Sequence, residues 1–77
     1  MENTLTTIMN YIDEKMLRIE DCVNSDIFAC NKDEFVTLNR SSIMASLDII
    51  YRLGLIDASK HLAMEIDYDK RIDALLL

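Results

Sequence analysis

The stretch that decides the fold is residues 4–23, with the sequence TLTTIMNYIDEKMLRIEDCV. Its main apolar side chains recur at alternating spacings of four and three residues, the seam of one helix packed against another. These seam residues are Leu5, Met9, Ile12, Met16, Ile19 and Val23. Ile8 and Tyr11 widen the seam toward one flank, and Asn3 or Thr4 is suited to cap the start. The stretch therefore predicts an amphipathic first helix.

A second helix is predicted over approximately residues 40–53, and a glycine ends it. One face is apolar, consisting of Ile43, Leu47, Ile50 and Leu53. A neighbouring face is mostly small and allows another helix to approach closely; its members are Ser42, Ala45, Ser46 and Ile49. Gly54 suits the left-handed conformation that follows a helix, and Asp57 suits the cap of the next helix. Residues 53–57 therefore predict a tight corner between two helices.

The connector between these two helices gives no clear pattern. Residues 24–26 are Asn-Ser-Asp, which favour turns or caps, and residues 27–30 have the composition of one short helical turn. Asn31 followed by Glu34 resembles a capping box. Residues 35–39 are weakly helical at most, or extended. The structure of this region is left open.

The last segment, residues 58–77, has helical propensity but an inconsistent pattern. On one helical wheel an apolar face consists of Ala58, Leu62, Ile66, Ile72 and Leu76. Glu65, Asp69 and Asp73 fall inside the same arc. Burying unpaired carboxylates there would cost several kcal/mol each. Either the helix breaks near residues 67–69, which we favour, or a partner's cations neutralise these acids.

The size and composition of the chain also predict that it associates with a second copy of itself. The chain has 77 residues, 51% of them hydrophobic, with one glycine and no proline. A chain this short buries only about 60% of its unfolded surface when it folds alone. We predict one all-α domain, residues 1–77, a small antiparallel helical bundle of three principal helices completed by homodimerisation. The expected dimer interface comprises Leu5, Met9, Ile12, Met16, Leu75, Leu76 and Leu77.

Charge and cysteine content exclude several classes of function. Fourteen acidic against eight basic residues give a net charge of −6, which disfavours direct nucleic-acid binding. No apolar run approaches the roughly 20 residues that span a bilayer, so we expect no membrane association. Cys22 and Cys30 lack the spacing of a zinc site. We expect both to be small core residues with reduced thiols in a cytoplasmic protein.

His61 is the only histidine, and its neighbours in sequence do not form a recognisable site. Asp57 and Glu65 lie four residues to either side, but di-iron bundles place glutamate three residues before histidine, where this chain has Ala58. A histidine paired with an acid is the simpler interpretation. We expect no metal, no cofactor and no catalytic residues, and hence no enzyme.

Two functions remain. The first is a small regulator or adaptor that binds another protein through an apolar or acidic helical face. The second is an acidic inhibitor of the kind encoded by phages, which mimics nucleic acid and occupies the binding site of a nucleic-acid-binding protein. The candidate partner-binding residues are Met64, Glu65, Tyr68, Asp69 and Asp73.

Overall fold

The structure is a computed structural model that describes residues 3–25 and 31–77, and it contains three α-helices packed together. Helix α1 spans Thr4–Asn24, α2 spans Lys32–Arg52 and α3 spans Ala58–Leu76. The predicted all-α fold with three principal helices is confirmed, whereas homodimerisation stays a prediction. The helical turn predicted over residues 27–30 and the burial predicted for Cys30 lie outside the described residues.

Helix α1 confirms the apolar seam. The Asn3 side chain caps it, because its Oδ1 accepts hydrogen bonds from the backbone N–H groups of Leu5 (2.9 Å) and Thr6 (3.4 Å). The middle of the seam is buried, and the seam residues near both ends are half-buried against the core. The buried side chains of α1 are Ile12, Met16, Ile19 and Cys22. The burial predicted for Cys22, which has a free thiol, is thus confirmed.

Helix α2 begins at Lys32, eight residues before the predicted start at Arg40. Of the two alternatives left open for residues 35–39, the structure shows the helical one and not the extended one. Val36 is only 3% exposed, and tertiary packing of this kind overrides weak propensity. Within the same stretch the Asn39 Nδ2 donates to the backbone oxygen of Phe35 (2.8 Å), which satisfies a buried amide inside the helix.

The start of α2 also differs from the predicted capping box. Asn31 holds the N-cap position, but its side chain makes no capping hydrogen bond. Its backbone oxygen accepts from the Phe35 N–H at 2.9 Å. Asp33 and Glu34 lie in the first turn, where negative charge complements the partial positive charge of a helix N-terminus. At this helix start the negative charges of Asp33 and Glu34 are favourable, although Asn31 provides no side-chain cap.

The corner between α2 and α3 has the predicted form. Gly54 has a φ of +74°, and its N–H donates to the Tyr51 oxygen while the Leu55 N–H donates to the Ile50 oxygen, both at 2.9 Å. These two bonds define a Schellman motif. The Asp57 side chain then accepts from the Lys60 N–H at 2.7 Å and caps α3. The corner reverses the chain, so α3 runs antiparallel to α2.

Helix α3 is continuous, so the break predicted near residues 67–69 is wrong. Its inward face is also rotated from the predicted apolar face: Tyr68 and Ile72 are buried, while Leu62, Ile66 and Leu76 are about half exposed. The helix stays continuous because this rotation leaves the acids thought to force a break nearer the surface, where Arg40 of α2 faces two of them, Asp69 and Asp73. Helix α3 therefore completes one core with α1 and α2, whose other members include Ile12, Ile19, Ile43, Leu47 and Ile50.

Candidate functional site

An apolar groove runs between α1 and α2. It has a volume of about 490 Å³ and is open to solvent. The seven described residues that line it are all uncharged: Thr7, Ile8 and Tyr11 from α1, and Ser42, Ala45, Ser46 and Ile49 from α2. All four members of the small face predicted for α2 thus line the groove.

The groove continues into a longer apolar strip along α2. Leu38, Ile49 and Leu53 are 62%, 49% and 57% exposed, and Ala45 is exposed between them. Leu38, Ser42, Ala45, Ile49 and Leu53 follow one another at spacings of four, three, four and four residues, so they share one side of the helix. We call this set the α2 strip. Its spacing is that of an apolar face that packs against another helix, but no helix among the described residues covers it.

On the other flank of α2, Arg40 faces two acids of α3. One guanidinium nitrogen of Arg40 lies 2.6 Å from Asp73 Oδ1, and the Arg40 Nε lies 3.9 Å from Asp69 Oδ1. The buried Nε has no hydrogen-bond partner among residues 3–25 and 31–77. One cation thus neutralises part of the acidic arc of α3 from within the molecule.

A second polar cluster joins α2 to α3 nearer the corner. His61 Nε2 lies 2.8 Å from Asp48 Oδ1, and His61 Nδ1 lies 3.4 Å from Glu65 Oε1. The imidazole stacks on the ring of Tyr51, with centroids 4.7 Å apart and planes inclined by 13°. We call Asp48, His61 and Glu65 the His61 cluster. The expectation of a histidine paired with an acid is confirmed, although the closer acid is Asp48 and not a residue of its own helix.

The fold changes the ionisation of Tyr68 on α3. Burial raises the pKa of its phenol above 10.0, and the nearby negative charge of Asp13 raises it further. The Arg71 guanidinium, 5.0 Å from the ring centroid, acts in the opposite direction. Tyr68 is therefore a neutral core residue that attaches α3 to α1 and α2.

The five predicted partner-binding residues fall in two different environments. Tyr68 is buried and Met64 is half-buried against the core, so these two side chains support the fold. Glu65, Asp69 and Asp73 lie nearer the surface, but each faces a cationic or titratable group of the same chain. A role in binding a partner stays a prediction for all five.

The predicted dimer interface is likewise divided. Ile12 and Met16 are buried within a single chain, and Leu5, Met9 and Leu75 pack against the same core. Leu76 is about half exposed and Leu77 is fully exposed. Of the seven residues, these two leucines are the ones classed as exposed and therefore the most accessible to a second copy.

Comparison of the chain with protein-family models, curated proteins and solved structures finds no match. In the part of the chain that the structure describes, no helix is both long and apolar enough to cross a bilayer.

Sequence reasoning missed Asp48 and Arg40 as partners of α3. Both lie on the flank of α2 opposite the groove, and they contact residues 13 and 33 positions away along the chain. The signal that points to them is the acidic arc of α3 itself, because buried or half-buried carboxylates require cations or donors nearby. Arg40 on the preceding helix is the cation that meets this requirement.

Proposed function

We propose that this chain is a non-catalytic regulator or adaptor that binds an amphipathic helix of another protein in the groove between α1 and α2. The observation that carries the proposal is the uncharged, solvent-open groove, continued by the exposed α2 strip. Helix-in-groove recognition uses such surfaces, with apolar anchors repeated every three or four residues.

The length and depth of the surface fit one helix. From Leu38 to Leu53 the α2 strip covers fifteen residue steps, about 22 Å at 1.5 Å per residue. A partner helix of about 15 residues spans the same length. Ser42, Ala45 and Ser46 are small, so its backbone approaches α2 closely, while Tyr11 and Ile49 form the walls.

Charge favours a different protein over a second copy as the occupant. The chain has a net charge of −6, so two copies repel each other, whereas a partner helix with basic flanks is attracted. We therefore infer that the partner helix is apolar on one face and rich in lysine or arginine on its flanks. Homodimerisation stays a separate prediction, and an interface through Leu76 and Leu77 would have to overcome the same charge repulsion.

The acidic, nucleic-acid-mimicking function receives less support. Mimicry of phosphates requires acids that are free to meet a basic groove. Asp69 and Asp73 are instead partly neutralised by Arg40, and Glu65 faces His61. The acidic row thus contributes to the attachment of α3.

Site-specific photocrosslinking in the organism's own cells tests the groove directly. A photoreactive amino acid at Ala45 lies in the groove, and the same amino acid at Ala63, an exposed alanine of α3, is the matched control. We expect position 45 to crosslink a basic helical segment of another protein that position 63 does not reach. A crosslink at both positions, or at neither, contradicts the proposal, and a crosslink at position 45 to a second copy of this chain replaces the partner with a homodimer.

A pair of substitutions measures the energetic contribution of the groove. Ile49→Glu places a charge in the groove, and Leu17→Glu makes the same change at a comparably exposed leucine (58%) outside the groove lining. The crosslinked partner should bind Leu17→Glu normally and Ile49→Glu at least tenfold more weakly, because a desolvated charge opposes apolar contact. Binding that survives Ile49→Glu but fails in the double variant Asp69→Asn and Asp73→Asn supports the acidic inhibitor instead.

A further inference from the structure

The polar groups inside the groove contribute little to the direction in which a partner helix lies. Three serine and threonine hydroxyls line the groove, and each donates a hydrogen bond to a backbone oxygen four residues earlier. The bonds run from Ser42 Oγ to Leu38 (3.1 Å), from Ser46 Oγ to Ser42 (2.8 Å) and from Thr7 Oγ1 to Asn3 (3.2 Å). Because these donors are satisfied within the chain, the direction of a bound helix depends on charges outside the groove lining.

Two charged residues of α2 lie at the ends of the α2 strip. Glu34 is four residues before Leu38, and Arg52 is three residues after Ile49. Glu34 and Arg52 are eighteen residues apart, which is five full turns, so they share one side of the helix and lie about 27 Å apart. Both are exposed, and neither has an ion-pair partner among residues 3–25 and 31–77. The strip thus has a negative charge at one end and a positive charge at the other.

The other charged residues of α2 are engaged elsewhere in the fold. Arg40 and Asp48 contact side chains of α3. Asp33 lines a cavity that residues of α3 also line. The Lys32 Nζ donates to the backbone oxygen of Val23 at 3.2 Å, near the end of α1. Glu34 and Arg52 are therefore the charges that α2 presents to a helix in the groove.

The charges on the α1 side of the groove do not distinguish its two ends. Arg18 pairs with Glu14 at 3.3 Å within the same helix. The Lys15 Nζ lies 5.0 Å from the centroid of the Tyr11 ring, which is a wall of the groove. The electrostatic difference between the two ends of the groove therefore comes from α2.

We propose that Glu34 and Arg52 fix the direction of the partner helix, which lies antiparallel to α2. An acidic residue in its first turn pairs with Arg52, and a basic residue in its last turn pairs with Glu34. This inference rests on the proposed function, since it concerns the occupant of the same groove. Acids are favourable in the first turn of a helix and bases in the last turn, so the arrangement suits the dipole of the partner helix. The opposite direction would bring like charges together at both ends.

The test uses synthetic helical peptides of about 18 residues that share one apolar face of leucine and alanine. The acid-first peptide has glutamate in its first turn and lysine in its last turn, the base-first peptide has the two exchanged, and the uncharged peptide has glutamine in both places. Fluorescence anisotropy measures binding to the full chain. We expect the acid-first peptide to bind about tenfold more tightly than the base-first peptide at low salt, because opposite charges meet at both ends. The difference should shrink at about 1 M salt, where charges are screened.

Variants of the protein separate charge pairing from the helicity of the peptides, because the base-first peptide is also the less stable helix. The double variant Glu34→Lys and Arg52→Glu should bind the base-first peptide more tightly, which a difference in peptide helicity cannot cause. Glu34→Gln and Arg52→Gln, which are milder changes, should each reduce the preference to about threefold. The matched control, Asp67→Lys with Lys70→Glu, exchanges two exposed charges on α3 outside the groove lining and should keep the wild-type preference. Circular dichroism confirms that each variant folds.

The outcomes distinguish this inference from the proposed function. Equal binding of the acid-first and base-first peptides to wild type, with both lost in Ile49→Glu, keeps the groove as a helix-binding site and overturns the inferred direction. Tighter binding of the base-first peptide to wild type overturns it as well, and so does a preference that stays the same in Glu34→Lys with Arg52→Glu. Binding of none of the peptides, the uncharged one included, contradicts the proposed groove and the inferred direction together.

Discussion

The seam between α1 and α2 and the attachment of α3 are built from different interactions. In the seam, α1 supplies four buried residues and α2 six, including the fully buried Ile12, Ile19, Ile43, Leu47 and Ile50. Helix α3 supplies two, Tyr68 and Ile72. Met64 and Leu75 of α3 pack against the core while only partly buried. The rest of the attachment is polar, through Arg40 with Asp69 and Asp73 and through the His61 cluster.

This difference indicates which part of the molecule responds to its surroundings. Burial of apolar surface is largely insensitive to salt and ions near neutral pH, whereas exposed ion pairs contribute at most about 1 kcal/mol and are screened by salt. The α1–α2 seam therefore sets the global stability and holds the groove. The attachment of α3 therefore depends in part on charge.

The largest effect should come from the seam. Ile43→Ala removes a fully buried side chain, and a buried isoleucine truncated to alanine typically costs about 2–5 kcal/mol. A chain of this size has a total stability of roughly 4–12 kcal/mol at 0.05–0.15 kcal/mol per residue, so the variant should lose a large fraction of its stability. Urea denaturation measures the loss, with Leu17→Ala, at an exposed position, expected to change stability by about 0.5 kcal/mol or less.

The corner that joins the two regions should show the next effect. Gly54 has a φ of +74°, and a Cβ built there meets no atom within 4 Å, so any cost of Gly54→Ala is in the backbone alone. A left-handed conformation costs about 1–2 kcal/mol for a residue with a Cβ. Gly54→Asn should cost less, because asparagine adopts this conformation more readily. Equal stability of the alanine variant and wild type would contradict the left-handed corner.

The polar attachment should show a smaller and salt-dependent effect. Arg40→Met keeps the apolar stem and removes the cation that faces Asp69 and Asp73, so we expect a loss of at most about 1 kcal/mol at low salt. The loss should shrink at about 1 M salt, where the Debye length is about 3 Å. Arg18→Met is the matched control, because Arg18 pairs with Glu14 of its own helix and, in the described part of the chain, with no acid of α3. A loss that is independent of salt would show that Arg40 acts through packing.

The same contrast explains what the sequence predicted. The seam of α1 and the Gly54 corner follow from local rules, apolar periodicity and the conformational needs of one glycine, and both predictions are confirmed. The start of α2 was placed too late because the burial of Val36 is a tertiary effect that propensity does not contain. The buried face of α3 was predicted wrongly because the sequence pattern of this helix does not show that Arg40 of α2 faces its acids.

The candidate sites differ in the same way. The small face of α2 was visible as a run of Ser42, Ala45, Ser46 and Ile49, and it lines the groove. The His61 cluster was not visible, because Asp48 and His61 share no helical spacing and meet only after the corner forms. Residues that share a face of one helix can be predicted from their spacing in the sequence, whereas residues brought together from two helices can be identified only once the fold is known.

The smallest effect concerns Tyr68, where the apolar and polar parts of the α3 attachment meet. Burial, assisted by Asp13, raises the pKa of the folded-state phenol above its ordinary value of about 10, so the folded state holds the proton more tightly than the unfolded state. Its contribution is therefore fully present below about pH 10 and is lost as pH rises from there through the folded-state pKa, by at most about 1.4 kcal/mol per pH unit. Tyr68→Phe has no phenol to ionise, so its unfolding free energy should fall less steeply above pH 10 than that of wild type. The difference between the tyrosinate absorbance titrations of wild type and variant isolates Tyr68, and ionisation of Tyr68 at or below pH 10 in the folded chain would mean that α3 does not bury this ring.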